Sequence, residues 1–175
     1  MARQDPAPTD LPDNAGDLAS HAETVLRRIE RSGLSVATAE SCTGGLIASL
    51  FTDIEGLSSN FERGFVTYSV EAKCQMLGLE PVFIERHGVV SAEVARAMAE
   101  GALERSHAGI AVGVTGFAGR AGPDDEAGLV HLAVVREGRR PILRECHFGD
   151  VGRDKVRLGT ARAALEMLEQ SLTEE

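Results

Sequence analysis

Short apolar segments alternate along this chain with segments in which apolar residues recur at helical spacing. Apolar runs typical of buried strands occur at Leu34–Thr38, Phe65–Ser69 and Ile110–Thr115. Helical spacing follows at about Gly44–Thr52, at Val70–Leu77 and after Ser91, which is a suitable helix cap. Strands and helices in this alternating order predict an α/β domain, because parallel neighbouring strands need helical crossovers between them.

The remaining segments extend this pattern at both ends. Asp17–Arg31 has the spacing of an amphipathic helix, and His87–Val90 is predicted to be a short extended piece. Leu129–Val135 and Ile142–Phe148 flank the turn sequence REGRRP and predict an antiparallel hairpin. A last helix is predicted over about Arg153–Ser171. The sheet is therefore expected to be mixed.

The length and composition indicate one globular domain. The chain has 175 residues, of which 43% are hydrophobic, and only seven are aromatic (six Phe and one Tyr). Val, Leu, Ile and Ala must therefore fill the core. Residues 1–16 are rich in Pro, Asp and Ala, and we expect them to form a flexible tail before a single domain over residues 17–175.

Charge and cysteine content exclude several classes of function. The formal net charge is −9 and no basic stripe interleaves with aromatic residues, so we expect no nucleic-acid partner. No apolar run approaches membrane-spanning length and no signal peptide is recognisable, so we expect no membrane association. Three cysteines at irregular spacing predict a reduced, cytoplasmic protein.

The stretch VATAESCTGGLIASLF, residues 36–51, places polar and nucleophilic groups between a strand and a helix. A serine at such a position is exposed, and nearby backbone N–H groups can stabilise an oxyanion. Ser41 and Thr43 could equally be helix caps. Cys42 is the rival nucleophile, although a free cysteine is most often a small buried hydrophobic residue.

A serine nucleophile needs a base. The five histidines are scattered, and no His, Cys, Asp or Glu cluster has the spacing of a metal site, so no metal is expected. A lysine kept neutral by burial is the alternative base, and Lys73 lies in YSVEAK just after a predicted strand. As an isolated residue, Lys73 would more often be an exposed helix lysine.

Four motifs together resemble one family: AESCTGG, YSVEAK, VTGFAG and FGDVGRDKVR. The sequence resembles the C-terminal domain family of the competence/damage-inducible protein CinA, from about Glu23 to Leu168. The resemblance implies a three-layer α/β/α sandwich. Its stand-alone members are nicotinamide-nucleotide amidohydrolases, which convert nicotinamide mononucleotide to nicotinic acid mononucleotide and ammonia. We expect no cofactor.

The resemblance also implies roles for individual residues. Ser41 would be the nucleophile, Lys73 the base and Tyr68 the hydroxyl partner of Lys73. Substrate contacts are expected at Glu40, Thr43, Gly44, Gly45, Thr115, Gly116 and Arg153. We further expect a small nucleotide substrate and a homo-oligomer.

One loop departs from the family pattern, and one domain of the larger family members is absent. The loop after VTG reads GFAGRAGPDDEAG and carries Arg120 where the family commonly has proline. The loop would lie near the ligand, so the substrate range is open at this point. The larger members add an N-terminal pyrophosphatase domain, and that activity is not expected here.

Two other functions remain open from the sequence. Thr43, Gly44 and Gly45 at a helix N-terminus could bind a phosphate without any chemistry, although a full phosphate-binding loop with its lysine is missing. Alternatively, Cys42 could make the protein a thiol-dependent enzyme.

Overall fold

A computed structural model describes residues 3–5, 11–119, 122–123 and 125–173. The strands are β1 (Arg3–Asp5), β2 (Val36–Glu40), β3 (Phe61–Val66), β4 (Ile110–Gly116), β5 (Leu129–Arg136) and β6 (Ile142–His147). The helices are α1 (Ala19–Arg31), α2 (Leu46–Thr52), α3 (Val70–Leu77), α4 (Pro81–His87), α5 (Ala92–Glu104) and α6 (Arg153–Thr173). Short 3₁₀ turns occur at Ala15–Leu18 and Ser58–Asn60.

The strands form one mixed sheet in the order β1-β6-β5-β4-β2-β3. β2 lies between β3 and β4 and is parallel to both, whereas β5 is antiparallel to β4 and to β6. In this register Glu40 pairs with Val66 on one side and with Val114 on the other. The carboxyl ends of β2, β3 and β4 therefore meet at one edge of the sheet.

The two faces of the sheet are covered by different helices. On one face α1, α2 and α6 pack against large side chains such as Val36, Val112 and Val114. On the other face α3, α4 and α5 pack against Ala37, Ala39 and Ala111. The predicted three-layer α/β/α sandwich is confirmed. No described helix is long and apolar enough to span a membrane.

The small residues on the second face let α5 approach the sheet closely. A Cβ atom on Gly113 of β4 would lie 2.3 Å from the carbonyl oxygen of Ala95 and 2.6 Å from the amide nitrogen of Ala99. Both contacts are to helix backbone, which cannot rotate away as a side chain would. Gly113 is therefore required by packing, and its position in IAVGVT reflects that requirement.

Four local predictions differ from the structure. The predicted extended piece His87–Val90 is not a strand, and His87 is the last residue of α4. The second strand ends at Val66 and begins at Phe61, four residues before its predicted start, because this edge strand exposes Arg63 and Gly64 and its apolar pattern is incomplete. The helix α4 was not predicted, although Pro81 stands at its first turn, where proline is favoured. β1 lies within the predicted flexible tail and pairs in parallel with the outer strand β6, which has an open edge there.

We predict that Gly113→Ala lowers the free energy of unfolding by about 3 kcal/mol, because overpacking against helix backbone forces the layers apart. Gly138→Ala is the matched control. Gly138 has open space around it but a φ of +71°, so only the left-handed backbone cost of about 1 kcal/mol applies. Urea unfolding of the two variants measures the difference, and equal losses would show that the contact between β4 and α5 is looser than described.

Candidate functional site

Ser41 and Lys73 lie in contact at the carboxyl edge of the sheet. Ser41 is the first residue after β2, and Lys73 is on the first turn of α3, 32 residues later. The Lys73 Nζ atom lies 3.1 Å from the Ser41 Oγ atom. The geometry confirms that these two predicted residues meet, although it leaves their catalytic roles as a prediction.

Lys73 is fully buried, with 0% of its surface exposed. Its Nζ atom also donates a hydrogen bond of 2.7 Å to the main-chain carbonyl of Thr67. Burial lowers the pKa of Lys73 below its ordinary value, because the charged ammonium loses its hydration. Lys73 is therefore not an exposed helix lysine. Its neutral amine form is favoured more than that of a lysine in water.

The helix α3 is placed by local backbone geometry. The Ser69 hydroxyl accepts a hydrogen bond from the amide of Ala72, which is an N-terminal cap. The Thr67 amide donates to the Glu40 carbonyl at 2.8 Å, which extends the pairing of β2 and β3 by one residue. These bonds hold Lys73 close to the end of β2.

Glu40 is fully buried and its carboxylate faces the start of α2. It accepts hydrogen bonds from the amides of Gly45 (3.1 Å), Ile47 (3.1 Å) and Ala48 (2.8 Å). A carboxylate at a helix N-terminus is stabilised by these amides and by the helix dipole. These contacts give Glu40 a role in holding the loop, and its predicted contact with substrate stays a prediction.

Between Glu40 and α2 the chain makes a tight turn. The Gly44 amide donates to the Ser41 carbonyl at 3.1 Å, and Gly44 and Gly45 have φ angles of +61° and +91°. These left-handed values favour glycine. Among the described residues, the amides of Cys42 and Thr43 donate to no other residue, and the Cys42 amide faces its own thiol. Neither amide next to Ser41 is therefore committed to another residue.

Cys42 is only 6% exposed. Burial raises the pKa of the Cys42 thiol to about 12, with a further rise from the nearby Glu40 carboxylate. A thiol with such a pKa stays protonated at neutral pH and is a poor nucleophile. This environment weighs against the thiol-dependent alternative.

The other predicted site residues do not all contact Ser41 or Lys73. Tyr68 is 71% exposed, and no hydrogen bond between its hydroxyl and Lys73 occurs among the described residues. The position next to Lys73 is taken instead by the carbonyl of Thr67. The Thr115 hydroxyl donates to the Val89 carbonyl at 2.8 Å, so it connects β4 to the segment before α5.

Gly116 and Arg153 lie around the loop that follows β4. A Cβ atom on Gly116 would lie 2.7 Å from a Val130 methyl group, so glycine is required there by packing against β5. Arg153 is exposed at the start of α6, and its guanidinium lies against Gly119. Arg120 lies outside the described residues, so its predicted effect on the substrate range stays open.

One residue at the site was missed by the sequence reasoning. Arg157, one helical turn after Arg153 on α6, donates from Nε (3.0 Å) and Nη2 (2.7 Å) to the Thr43 carbonyl. The motif RDKVR could have indicated Arg157, because it lies four residues after Arg153 and residues four apart share a helix face. Among the described residues, no group of three His, Cys, Asp or Glu side chains is placed to hold a metal.

Two surface grooves lie elsewhere on the molecule. One of about 280 Å³ is lined by residues of α3, α4 and α5, and another of about 410 Å³ lies at the opposite edge of the sheet near Gly33 and Gly109. Neither is lined by Ser41 or Lys73. Hydrogen-bond geometry and burial, and not groove size, therefore locate the candidate site.

The fold and this geometry define a class: an α/β/α domain in which a serine hydroxyl contacts a buried lysine beside the backbone amides of a strand-to-helix loop. The model of the CinA C-terminal domain matches residues 18–172. The chain therefore belongs to the CinA C-terminal domain family.

Named relatives fall into two groups that differ in length. The chain is 44% identical over 157 residues to the nicotinamide-nucleotide amidohydrolase PncC of Escherichia coli, covering 88% of this chain and 94% of the relative. It is 47% identical over 146 residues to a CinA-like protein of Citrifermentans bemidjiense, covering 82% of this chain. The chain spans only 35% of that second, longer relative.

Solved structures show the same fold. The competence/damage inducible protein CihA from Agrobacterium tumefaciens superposes with a TM-score of 0.86 at 44% identity, over 95% of this chain and 99% of the other. A CinA superfamily protein from Escherichia coli superposes with a TM-score of 0.84 at 31% identity, over 93% and 94% of the two chains.

We predict that Glu40→Gln lowers the free energy of unfolding by about 3 kcal/mol. The amide loses the charge-assisted bonds, and its NH₂ group must face at least one backbone donor of α2. Glu55→Gln is the control, since Glu55 is exposed beyond the end of α2. Chemical unfolding monitored by circular dichroism measures both changes. An unchanged stability for Glu40→Gln would mean that the carboxylate does not hold α2.

Proposed function

We propose that this protein is an amidohydrolase that converts nicotinamide mononucleotide to nicotinic acid mononucleotide and ammonia. The observation that carries the proposal is the 3.1 Å contact between the Ser41 hydroxyl and the buried Lys73 amine. The substrate is suggested by the name of the Escherichia coli relative, which this chain matches over 94% of that protein's length.

The proposed role of Lys73 follows from its hydrogen bonds. A neutral amine has two hydrogens and one lone pair. In the structure Nζ donates to the Thr67 carbonyl and to Ser41 Oγ. In the proposed reaction, the lone pair of the neutral amine accepts the Ser41 hydroxyl proton. The lowered pKa of Lys73 increases the fraction of this neutral form at neutral pH. Lys73 is then a general base that needs neither metal nor cofactor.

The reaction then proceeds in two halves. Ser41 Oγ bonds to the carboxamide carbon as its proton moves to Lys73. The protonated Lys73 gives that proton to the leaving nitrogen, the C–N bond breaks, and ammonia departs from an acyl-enzyme ester. Water attacks the ester as Lys73 takes a proton from it. Lys73 returns the proton to Ser41 Oγ as the ester bond breaks, which releases the carboxylic acid.

We assign the oxyanion to the amides of Cys42 and Thr43. The other amides of the loop already have partners: Gly44 donates to Ser41, and Gly45 donates to Glu40. Two backbone donors aimed at a developing oxyanion are each worth about 3 kcal/mol of transition-state stabilisation.

Arg153 and Tyr68 are proposed to contact the rest of the nucleotide. The Arg153 guanidinium is exposed against Gly119, where it can bind the substrate phosphate with two hydrogen bonds. Tyr68 presents an exposed ring just after β3, which suits contact with substrate better than proton relay. We retain a homo-oligomeric, cytoplasmic protein as a prediction.

The alternative of a non-catalytic phosphate-binding module is less well supported. It requires free amides at the start of α2, but the Glu40 carboxylate accepts from three of them. A second anion would meet this negative charge within the same loop. The contact between Ser41 and Lys73 would also have no purpose in such a module.

We predict that Ser41→Ala lowers kcat/KM for ammonia release from nicotinamide mononucleotide by about 10⁴-fold or more, because the acyl-enzyme cannot form. The fold is expected to persist, since one hydrogen bond contributes about 1 kcal/mol. Cys42→Ala is the control at the adjacent position and is expected to stay close to the wild-type rate. The reverse ranking of the two variants would transfer the nucleophile to Cys42.

We predict that kcat/KM of the wild type rises with pH and levels off above the pKa of Lys73, because only the neutral amine is a base. Since burial lowers that pKa, the inflection is expected below the ordinary lysine value of about 10.4. Lys73→Arg keeps the charge but cannot give up its proton, so it is expected to be as inactive as Lys73→Ala.

Tyr68→Phe is the comparison for this pH series and is expected to lose less activity than either lysine variant. Its hydroxyl is exposed and makes no hydrogen bond to Lys73 among the described residues. A Lys73→Arg enzyme working near the wild-type rate would mean that Lys73 only attracts the anionic substrate.

A further inference from the structure

The Thr43 carbonyl, in the loop that follows Ser41, accepts two hydrogen bonds from the guanidinium of Arg157. Arg157 Nη2 lies 2.7 Å from this oxygen and Nε lies 3.0 Å from it, across 114 residues of sequence. Its positive charge also lowers the pKa of the Cys42 thiol slightly, against the larger effect of burial. A partly buried arginine on α6 therefore reaches across to the loop between β2 and α2.

The peptide held in this way is the one that closes the turn. Its carbonyl belongs to Thr43 and its amide belongs to Gly44, and that amide donates to the Ser41 carbonyl at 3.1 Å. Both ends of the peptide thus have partners. The turn they close contains Cys42 and Thr43, whose amides are the donors proposed for the oxyanion.

The backbone that follows this peptide holds it by one long hydrogen bond, in which the Leu46 amide donates to the Thr43 carbonyl at 3.3 Å. Gly44 and Gly45 both have positive φ angles, and glycine has no Cβ atom to restrict other conformations. A rotation of the Thr43–Gly44 peptide meets little steric resistance, and the local bonds that oppose it are the ones to Ser41 (3.1 Å) and from Leu46 (3.3 Å). Arg157 adds two shorter bonds to the same carbonyl, and its planar guanidinium restricts the rotation further.

We infer that Arg157 is a positioning residue for the proposed amidohydrolase reaction. It fixes the Thr43–Gly44 peptide so that the Cys42 and Thr43 amides stay directed at the oxyanion site. Nothing in this role requires contact with the substrate, in contrast to Arg153, which is exposed one turn earlier on the same helix. The inference rests on the proposed function, because it assumes that an oxyanion forms beside Ser41.

The test uses Arg157→Lys and Arg157→Ala in the full chain, with Lys155→Ala as the control. Lys155 is exposed on the same turn of α6, so its loss removes one positive charge without touching the loop. We expect both Arg157 variants to lose about 100-fold in kcat, as for one lost oxyanion donor, with KM within about threefold. Lys155→Ala is expected to keep the wild-type kcat and KM.

Two further readouts separate positioning from general support of the fold. Guanidinium ion added to Arg157→Ala is expected to restore part of kcat, and the same concentration added to Lys155→Ala is expected to restore nothing. In hydrogen exchange followed by mass spectrometry, both Arg157 variants are expected to exchange faster over residues 41–46, with β4 and α5 unchanged. Wild-type kcat in Arg157→Lys, or faster exchange throughout the domain, would overturn the positioning role.

A raised KM with an unchanged kcat would also overturn it, since Arg157 would then bind substrate directly. The failure of this inference is distinguishable from failure of the proposed function. If the wild type releases no ammonia from nicotinamide mononucleotide, the proposed function is wrong whatever the Arg157 variants do. If wild type is active, Ser41→Ala is inactive and Arg157→Lys is fully active, only the positioning role is wrong.

Discussion

The burial of Lys73 beside Ser41 is the constraint around which the rest of the site is arranged. A lysine with no exposed surface loses the hydration of its ammonium, which raises the free energy of the charged form. The protein provides only a main-chain carbonyl and a serine hydroxyl as its partners, and no carboxylate pairs with it in the described residues. Such a site favours a neutral amine, and a neutral amine beside a hydroxyl is a base. The same burial that weakens the folded state thus supports the proposed chemistry.

The loop that carries Ser41 is held by polar groups on two sides. From within, the Glu40 carboxylate binds three amides of α2, and from α6 the Arg157 guanidinium binds the Thr43 carbonyl. The two charges therefore bind opposite ends of peptide dipoles. The Glu40 carboxylate binds amides, and the Arg157 guanidinium binds a carbonyl. Between them lie the amides of Cys42 and Thr43, which donate to no other residue in the described part of the chain. The neighbouring amides of Gly44 and Gly45, by contrast, already donate to Ser41 and Glu40.

The layer packing explains why these groups meet. On the face covered by α5 the sheet presents alanine and glycine, so the helix backbone reaches the strand backbone at Gly113. Thr115, at the end of the same strand, binds the Val89 carbonyl just before that helix. The opposite face carries large aliphatic side chains, and α6 packs there in a position from which Arg157 reaches the loop. The site therefore depends on small residues on one face of the sheet and large aliphatic residues on the other.

Much of the fold and of the candidate site could be predicted from the sequence, because both depend on apolar periodicity and on local motifs. The alternation of apolar runs and helical spacing determined the α/β class, the hairpin β5–β6, and the cap at Ser91. The motifs ESCTGG and YSVEAK singled out Ser41 and Lys73, and the register of β2 with β3 and β4 places their segments at one edge of the sheet. Edge strand β3 and helix α4 were misplaced or missed, since their apolar patterns are interrupted by exposed residues.

Tertiary structure alone decided which side chains meet. It turned the Glu40 carboxylate onto α2, left the Tyr68 ring in solvent, and brought Arg157 across 114 residues to the Thr43 carbonyl. These outcomes depend on the distance and direction between elements that are remote in sequence. Local periodicity specifies which face of an element is buried, but only the packed layers specify what that face touches.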